Sequence, residues 1–381
     1  MRRIGLIIDT EAGHTIPFVD LGLQLMEHGH EVVFIGLAQS IHLVPPSLRS
    51  AYVSVLDGVY EAATIRAIRQ QAPLDFPCYW GFDAHLERLL DPGLRDQLRG
   101  LRVDALIANP FLGLETAIAA ELVGAPAIFA LPMMGSDPGP LAKMHLELQP
   151  AALQRRIIEL LQLTPDELEA ALARWPALIL CAREFELPEL VYTGAHAHYV
   201  GPCLRDYDAA KQLAERGEPE TVYVSLGSTR VRETAPARAL LHALLDEARA
   251  SPSTRFFVTG APPPGELPPN VEFRQWFAQR ELMRSVRATV THGGLGGIRE
   301  AIAGRLAPIV TPFVRDQPDN ARRVAYHGLG LDLHGQVEQL GPALRRVRAG
   351  EFDERVEALR QRFRELDRAR TAARTLDQLL A

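Results

Sequence analysis

The sequence predicts an α/β fold of two facing Rossmann-like domains, each built on a parallel sheet. Short apolar runs alternate with helical patterns along the chain, as they do in βαβ units. Two such sets occur, and each starts with a strand that runs into a loop and a helix. A polar stretch, YVGPCLRDYDAAKQLAERGEPE, separates the two sets. These observations predict a domain boundary in the middle of the chain.

The predicted elements follow from these patterns in chain order. In the first set the predicted strands are Ile4–Ile8, Glu31–Ile35, Ala105–Ala108, Ala127–Ala130 and Ala177–Leu180, and the predicted helices are Pro17–His28 and Glu115–Val123. In the second set the predicted strands are Thr221–Ser225, Arg255–Thr259, Val271–Arg274, Ala288–Thr291 and Pro308–Thr311. From Gln336 onward the sequence is charged and predicts two or three helices that pack across the back.

The domain boundaries follow from this division. We expect an N-terminal domain over residues 1–200, a linker over 201–219 and a C-terminal domain over 220–381. The last helix is expected to pack back on the N-terminal domain. Ligands of open α/β sheets bind at the carboxyl ends of the strands, so a ligand is expected in the cleft where the two domains face each other.

Composition narrows the class of protein. The chain has 381 residues, of which 47% are apolar and 23% charged, and its net charge of −6 argues against nucleic acid as a partner. Three separated cysteines (Cys78, Cys181 and Cys203) fit a reducing compartment better than a disulfide framework. The first apolar run is too short for a signal peptide or a membrane span. The protein is expected to be cytoplasmic and not inserted in a membrane, and the sequence leaves its oligomeric state open.

The stretch VTHGGLGGIREA, Val290–Ala301, predicts an anion site. Its glycines lie between a strand and a helix, where bare backbone lets a ligand approach N–H groups at the positive end of the helix dipole. A glycine-rich turn without a ligand is the alternative, but four glycines directly after His292 favour phosphate. The NAD fingerprint G-x-G-x-x-G is incomplete because Arg299 stands at its third glycine. Neither a P-loop nor a G-x-S-x-G elbow is present in the sequence.

The region RQWFAQRELMRSVRATVTHGGLGGIREAIAGRLAPIVTPFVRDQPDNARRV resembles the nucleotide-sugar signature of family 1 glycosyltransferases of the GT-B fold, the type that acts on natural products. The stretches GHTIPFVDLGLQLMEHGHEV, YVSLGS and HYVGP resemble other parts of that family, in the same order along the chain. The resemblance implies two Rossmann-like domains. It also implies transfer of a hexose from a UDP- or dTDP-sugar to a hydroxyl of an apolar small molecule, with inversion and with no metal or other cofactor.

The resemblance also implies a set of donor-binding residues. Trp276 would stack on the base, His292 and the glycine turn would hold the diphosphate, Glu300 would accept hydrogen bonds from the ribose, and Asp316 and Gln317 would bind the sugar. The full set is Gly227, Ser228, Trp276, Gln279, His292, Gly293, Gly294, Gly296, Gly297, Glu300, Asp316, Gln317 and Asn320. Each alone also fits a structural role, such as a core tryptophan or a helix N-cap aspartate. The usual hydroxyl residues of the turn are missing, so the phosphate would depend on backbone N–H groups.

The catalytic base implied by the resemblance is His14, in the first loop of the N-terminal domain; the alternative is an ordinary loop histidine. In the family an aspartate orients this histidine, and its place here falls on Asn109, in the stretch VDALIANPF. Asparagine can accept a hydrogen bond but offers no charge to an imidazolium. Asp137, Asp9 or Glu11 could supply the missing carboxylate.

The acceptor pocket is expected against the N-terminal domain. The stretch LDFPCYWGFDAHL carries Tyr79, Trp80 and Phe82, and LPMMGSDPGPLAKM carries Met133 and Met134. Such clusters are usually core, but after a strand end they also suit an apolar acceptor.

Other interpretations of the sequence receive less support. Asp206 and Asp208 form a D-x-D of the kind that holds Mn²⁺ in another glycosyltransferase fold, but in the linker it is read as solvated charge. His196 and His198 lack a third ligand for zinc. A nucleotide-sugar 2-epimerase and a MurG-like membrane enzyme fit the first domain less well. The main alternative function is a non-catalytic GT-B partner protein, which binds a nucleotide sugar or an aglycone and supports another transferase.

Overall fold

A computed structural model describes residues 1–9, 11–36, 40–54, 83–132, 134, 138–190, 196–205, 207, 220–227 and 234–381. The strands in these ranges are β1 (Arg3–Ile8), β2 (Glu31–Gly36), β3 (Tyr52–Ser54), β4 (Ala105–Ala108), β5 (Ala127–Leu131), β6 (Ala177–Ile179), β7 (Ala197–Tyr199), β8 (Glu220–Ser225), β9 (Thr254–Thr259), β10 (Val271–Arg274), β11 (Ala288–Thr291), β12 (Pro308–Val310) and β13 (Leu331–Asp332).

The α-helices in the described ranges alternate with these strands. They are α1 (Ala12–Glu27), α2 (Asp83–Leu89), α3 (Pro92–Gly100), α4 (Gly113–Val123), α5 (Pro138–Glu147), α6 (Ala151–Leu161), α7 (Pro165–Leu172), α8 (Ala235–Ala250), α9 (Gln279–Ser285), α10 (Leu295–Ala303), α11 (Gln317–Tyr326), α12 (Leu340–Arg348), α13 (Asp353–Arg368) and α14 (Thr371–Leu379).

The strands form two parallel sheets, as the sequence predicts. The first has the order β3-β2-β1-β4-β5-β6-β7 and the second the order β10-β9-β8-β11-β12-β13. Every pair of neighbouring strands is parallel. The strands read as short apolar runs because helices cover both faces of such sheets; in β4, for example, all four residues are buried.

Both sheets reverse their strand order at one place. In the first sheet the reversal lies between β1 and β4, and in the second it lies between β8 and β11. The loops after two such strands leave in opposite directions, which opens a crevice at their carboxyl ends. Asp9 follows β1 and Asn109 follows β4, whereas Gly227 lies just beyond β8 and His292 directly follows β11. The topology therefore places candidate residues at the switch point of each sheet.

Several elements differ from the prediction. The strands β3, β7 and β13 were not predicted, because runs of two or three half-buried residues carry no clear periodicity. The helix predicted over Pro17–His28 begins at Ala12, so Pro17 lies inside α1. Proline is common in the first turn of a helix because it has no N–H to donate to the carbonyl four residues earlier. Pro17 was therefore predicted to be the first residue of the helix. His14 consequently lies in the first turn of a helix and not in a loop.

The chain divides into two compact units whose bounds differ from the expected domains. One unit contains Met1–Leu180, Tyr192–Cys203 and Ala369–Ala381, and the other contains Cys181–Val191 and Leu204–Arg368. Helix α14 therefore belongs to the first unit, where Ala372, Ala373 and Leu376 join the core formed around β1 and α1. In the second unit, a buried ion pair from Glu186 to Arg323 (2.7 Å) holds the segment after β6 against α11. Among the described residues, no helix is both long enough and apolar enough to cross a membrane.

Candidate active site

His14 and Asp9 form a buried pair in the first unit. The Nδ1 atom of His14 lies 2.7 Å from Oδ2 of Asp9, whose side chain is fully buried. Asp9 follows β1 and His14 lies in the first turn of α1, and their side chains meet where the end of β1 lies next to the start of α1. The His14 ring also stacks on Phe111, with 5.1 Å between the ring centroids. The pair has the contacts of a histidine whose ring is held in one orientation.

The carboxylate of Asp9 also accepts hydrogen bonds from two other groups. Its Oδ1 accepts from the backbone N–H of Glu11 (2.7 Å), and its Oδ2 accepts from Nδ2 of Asn109 (2.9 Å). A carboxylate that accepts three hydrogen bonds has to bond the protonated nitrogen of the imidazole, which assigns the proton to Nδ1 of His14. The lone pair is then on Nε2, the nitrogen that a general base would use.

The structure corrects the expected place of Asn109. Its amide nitrogen donates to Asp9, and its Oδ1 accepts from the backbone N–H of Phe111 (2.9 Å), so Asn109 supports the carboxylate and does not itself bond His14. Asp9, one of three carboxylates that the sequence left open, is the residue in contact with His14. Four residues lie between Asp9 and His14, and their spacing in the sequence does not show that the side chains meet.

The glycine-rich turn of the second unit begins a helix, as the sequence predicts. Strand β11 ends at Thr291 and α10 begins at Leu295, with Gly294 at the N-cap. Glycine at the N-cap has no side chain to cap the helix, so none of the described side chains at this position accepts from the N–H groups of its first turn. An added Cβ at Gly296 would meet no atom within 4 Å. The open face of this helix start can therefore accept an anion.

Two of the glycines make room for the His292 ring. A Cβ at Gly294 would lie 2.7 Å from Nε2 of His292, and a Cβ at Gly227 would lie 3.2 Å from the same atom. Gly293 has a positive φ of 91°, a conformation that favours glycine. The glycines thus serve the packing of His292 as well as the approach of a ligand, a role that the sequence alone did not indicate.

His292 is held neutral by its surroundings. Its Nδ1 lies 3.3 Å from the carbonyl oxygen of Ser225, at the end of β8. Burial lowers the pKa of His292 to about 4, and the hydrogen bond to Ser225 only partly opposes this effect. Because a carbonyl oxygen can only accept, Nδ1 carries the proton and Nε2, between Gly227 and Gly294, carries the lone pair.

We expect Gly294→Ala to weaken binding of the nucleotide sugar that the resemblance implies by about tenfold or more, because a contact of 2.7 Å would displace the His292 ring. The backbone at Gly294 has a φ of −62°, which alanine adopts without strain, so stability should change little. Calorimetric titration with UDP-glucose or dTDP-glucose measures the change. In a His292→Ala background the same substitution has room, and an equally large second loss there would contradict this explanation.

Trp276 is exposed, with 59% of its surface accessible. It follows β10, and the next residue, Phe277, is buried and packs against Tyr223. A large aromatic ring in water has no packing role to explain it, so the alternative of a core tryptophan is wrong for Trp276. Such a ring offers a face on which a nucleobase can stack.

Gln279 and Glu300 belong to one hydrogen-bonded network. Nε2 of Gln279 donates to Glu300 (2.6 Å), and Nε of Arg280 donates to the other oxygen of Glu300 (2.7 Å). The hydroxyl of Tyr223 donates to Oε1 of Gln279 (2.9 Å) and contacts Oγ1 of Thr259 (2.8 Å). The carbonyl oxygen and the NH₂ of the Gln279 side chain are thereby both occupied, so Gln279 orients Glu300. Each carboxylate oxygen has further acceptor capacity for a ribose hydroxyl.

Asp316, Gln317 and Asn320 lie at the start of α11. Oε1 of Gln317 accepts from the backbone N–H groups of Phe313 and Val314 (2.9 and 3.0 Å), while its Nε2 donates to none of the described residues. Asp316 occupies the N-cap position, but its side chain does not cap the helix. It accepts from Nδ2 of Asn320 (2.8 Å).

Asn320 has a positioning role in this group. It is fully buried, and its Nδ2 also donates to the carbonyl oxygen of Gly293 (2.9 Å), which ties the glycine turn to α11. Its Oδ1 accepts from the guanidinium of Arg323 (3.0 Å). Asn320 thus fixes the turn through the backbone. Tyr223, Arg280 and Arg323 were missed in the sequence because nothing in their spacing marks them as partners of these residues.

Some predicted site residues lie outside the described residues. These are Ser228, Asp137, Tyr79, Trp80, Phe82 and Met133, together with Asp206 and Asp208 of the D-x-D. Met134 is described and is buried. Neither His196 nor His198 belongs to a group of three metal-ligating side chains within the described ranges.

Most of the second unit lies in a region that matches a family model. Residues 183–356 match the family model described as UDP-glucoronosyl and UDP-glucosyl transferase. UDP-glucuronosyltransferase 1A8 of Rattus norvegicus is 29% identical over 151 residues, which cover 39% of this chain and 28% of the relative. The alignment thus spans less than a third of the length of that curated relative.

Solved structures share the fold over the whole chain. The glycosyltransferase SnogD from Streptomyces nogalater has a TM-score of 0.69 at 22% identity and covers 100% of both chains. Spinosyn rhamnosyltransferase SpnG complexed with thymidine diphosphate has a TM-score of 0.61 at 19% identity and covers 99% of this chain and 100% of its own. A structure of SpnG complexed with spinosyn aglycone has a TM-score of 0.63 at 18% identity, with the same coverage. Residues 183–356 therefore match the model of the UDP-glucoronosyl and UDP-glucosyl transferase family, and the chain shares the fold of solved GT-B glycosyltransferases.

Proposed function

We propose that the protein is an inverting glycosyltransferase that moves a hexose from UDP or dTDP to a hydroxyl of an apolar small molecule. The observation that carries this proposal is the buried Asp9–His14 pair at the switch point of the first sheet. A base that is held in one tautomer is what deprotonation of an acceptor hydroxyl requires. The match of residues 183–356 to the transferase family supports a nucleotide sugar as the donor.

In the proposed reaction, Nε2 of His14 takes the proton of the acceptor hydroxyl while that oxygen attacks the anomeric carbon. The bond from the anomeric carbon to the diphosphate oxygen breaks as the new bond forms, and attack from the opposite face inverts the configuration. Asp9 stabilises the imidazolium that results, as the aspartate does in a serine-protease triad. The charge on the departing diphosphate would be stabilised by the N–H groups that open α10 and by His292, with no metal in this step.

The donor site follows from the second unit. Trp276 would stack on the base and Glu300 would accept hydrogen bonds from the ribose, with Gln279 and Arg280 fixing its position. The free Nε2 of Gln317 and the carboxylate of Asp316 would bind sugar hydroxyls. One structural neighbour is named as a complex with thymidine diphosphate and the matched family is named for UDP sugars, which supports these two nucleotides.

The acceptor class rests on different support. A structural neighbour is complexed with an aglycone, spinosyn aglycone. The aromatic and methionine residues expected to line an acceptor pocket remain a prediction. The alternative of a non-catalytic partner protein rested on Asn109 in place of an acid and on the missing hydroxyl residues of the glycine turn. Asp9 supplies the acid against His14, which supports the catalytic interpretation.

The experiment that tests the proposal is calorimetric titration with UDP-glucose and dTDP-glucose, with and without EDTA. We expect binding that EDTA does not weaken, and about a 5- to 150-fold loss of affinity in Trp276→Ala, because stacking of a base on an aromatic side chain contributes about 1–3 kcal/mol.

Tyr326→Ala is the matched control for Trp276→Ala, because Tyr326 is an aromatic residue of the same unit that is 63% exposed. It should leave the affinity unchanged. If neither nucleotide sugar binds at millimolar concentration, the transferase proposal fails. Equal losses in the two variants would show that Trp276 has no specific role in binding.

A further inference from the structure

A cluster of two histidines and a glutamate is buried in the first unit, and the proposed function does not use it. His85, Glu115 and His145 are exposed by 0%, 3% and 1%, respectively. They come from α2, α4 and α5. Nε2 of His85 lies 2.7 Å from Oε1 of Glu115, and Nδ1 of His145 lies 3.7 Å from the same oxygen. One ligand atom from each side chain lies within 4.8 Å of the other two.

The cluster leaves polar atoms without a hydrogen bond inside the protein. Oε2 of Glu115 and Nδ1 of His85 are both buried and bond none of the described residues. A buried polar atom without a partner costs about 1–3 kcal/mol, and more when the group is charged. The buried carboxylate of Glu115 therefore has unused acceptor capacity.

We propose that His85, Glu115 and His145 bind one Zn²⁺ ion. Two imidazoles and one carboxylate are a common ligand set for zinc, with a water molecule in the fourth position. With bonds of about 2.0–2.2 Å, a tetrahedral ion holds its ligands about 3.3 Å apart. The observed separations of 2.7 and 3.7 Å lie on either side of this value, and the third pair of ligand atoms lies within 4.8 Å.

The ion would join helices α2, α4 and α5, and α4 begins close to the residues that contact Asp9 and His14. Glu115 lies in the first turn of α4, only a few residues beyond Asn109 and Phe111. These two residues bond Asp9 and stack on His14, respectively. A metal that fixes the start of α4 would therefore also fix the support of His14. This role is structural and separate from the diphosphate, so it is compatible with a transfer step that uses no metal.

A second cluster in the same unit serves as an internal comparison. His28, His30 and Asp377 also lie within reach of one another, between the end of α1 and α14. The Asp377 side chain is 44% exposed, so water already satisfies part of its hydrogen-bonding capacity. The buried cluster is consequently the one that should hold zinc tightly.

The test is zinc binding to the full chain, produced without a polyhistidine tag and stripped with a chelator. We expect one Zn²⁺ per chain in competition with a chromophoric chelator. Glu115→Gln and His145→Gln should each weaken binding at least about 100-fold. Both substitutions keep a polar side chain of similar size, and circular dichroism checks that the variants are folded. Co²⁺ should give the visible absorption of a tetrahedral site in the wild type and not in His145→Gln.

His28→Gln is the matched control and should leave zinc affinity unchanged. The proposal is overturned if the wild type binds no zinc at micromolar concentration, or if Glu115→Gln and His145→Gln bind it as tightly as the wild type. Loss of zinc in His28→Gln alone would assign the metal to the other cluster and also overturn the proposal. Metal content is measured directly, so the result does not depend on the proposed transferase activity.

Discussion

We expect Asp9→Asn to lower the kcat of sugar transfer by about 10²- to 10⁴-fold while nucleotide-sugar affinity stays near that of the wild type. Oδ2 of Asp9 accepts from His14 and from Asn109, and Oδ1 accepts from the backbone N–H of Glu11. An amide at this position has to turn its NH₂ toward one of these donors. In one orientation His14 loses the tautomer of a base; in either orientation the imidazolium loses its counter-charge.

Initial rates with a phenolic acceptor and calorimetric affinities for the donor separate these two effects. Thermal unfolding shows whether the variant remains folded, since Asp9 is fully buried. The matched variant is the exchange Asp9→Asn with Asn109→Asp. The side chain of Asn109 bonds Asp9 and Phe111 and does not reach His14, so the exchange should not restore the rate. Recovery of the wild-type rate would instead assign the carboxylate function to position 109, where the family resemblance places it.

Much of the fold follows from periodicity because parallel strands covered on both faces are continuous apolar runs. The prediction matches the bounds of β4, β10 and β11, and each of the other predicted strands differs by one residue at one end. The order of strands in a sheet depends on contacts between distant segments, which a single sequence does not display. The segment around Glu186 shows the same limit: its buried ion pair with Arg323 joins residues 137 positions apart.

The candidate site was predictable where the backbone itself carries the function. The glycines before α10 mark a helix start without a side-chain cap, and the structure has one there. Contacts between side chains were harder to predict from the sequence. The Asp9–His14 contact depends on how the end of β1 lies next to the start of α1, and the two donors to Glu300 come from residues 20 and 21 positions away. Sequence spacing indicates residue types but not the rotamers that bring them together.

The second large effect concerns the pH dependence of donor binding. Free His292 has a pKa lowered to about 4 by burial, and its Nδ1 faces the carbonyl oxygen of Ser225. Its Nε2 can therefore contact a phosphate oxygen only after taking up a proton. A bound diphosphate then raises the pKa of His292, so the complex binds more protons than the free protein. By linkage, affinity rises by up to about tenfold per pH unit as the pH falls from the pKa in the complex toward about 4.

UDP-glucose is the suitable ligand for this measurement. The terminal phosphate of a free nucleoside diphosphate takes up a proton at about pH 6, as a phosphate monoester does, whereas in UDP-glucose the sugar blocks this step. Calorimetry in buffers of different ionisation enthalpy should show uptake of up to one proton per ligand bound. The uptake should vanish in His292→Gln, whose affinity should no longer vary with pH, and persist in His14→Gln, which removes an imidazole from the other unit. Binding without proton uptake in the wild type would mean that His292 stays neutral. The N–H groups at the start of α10 would then hold the diphosphate without a positive charge on His292.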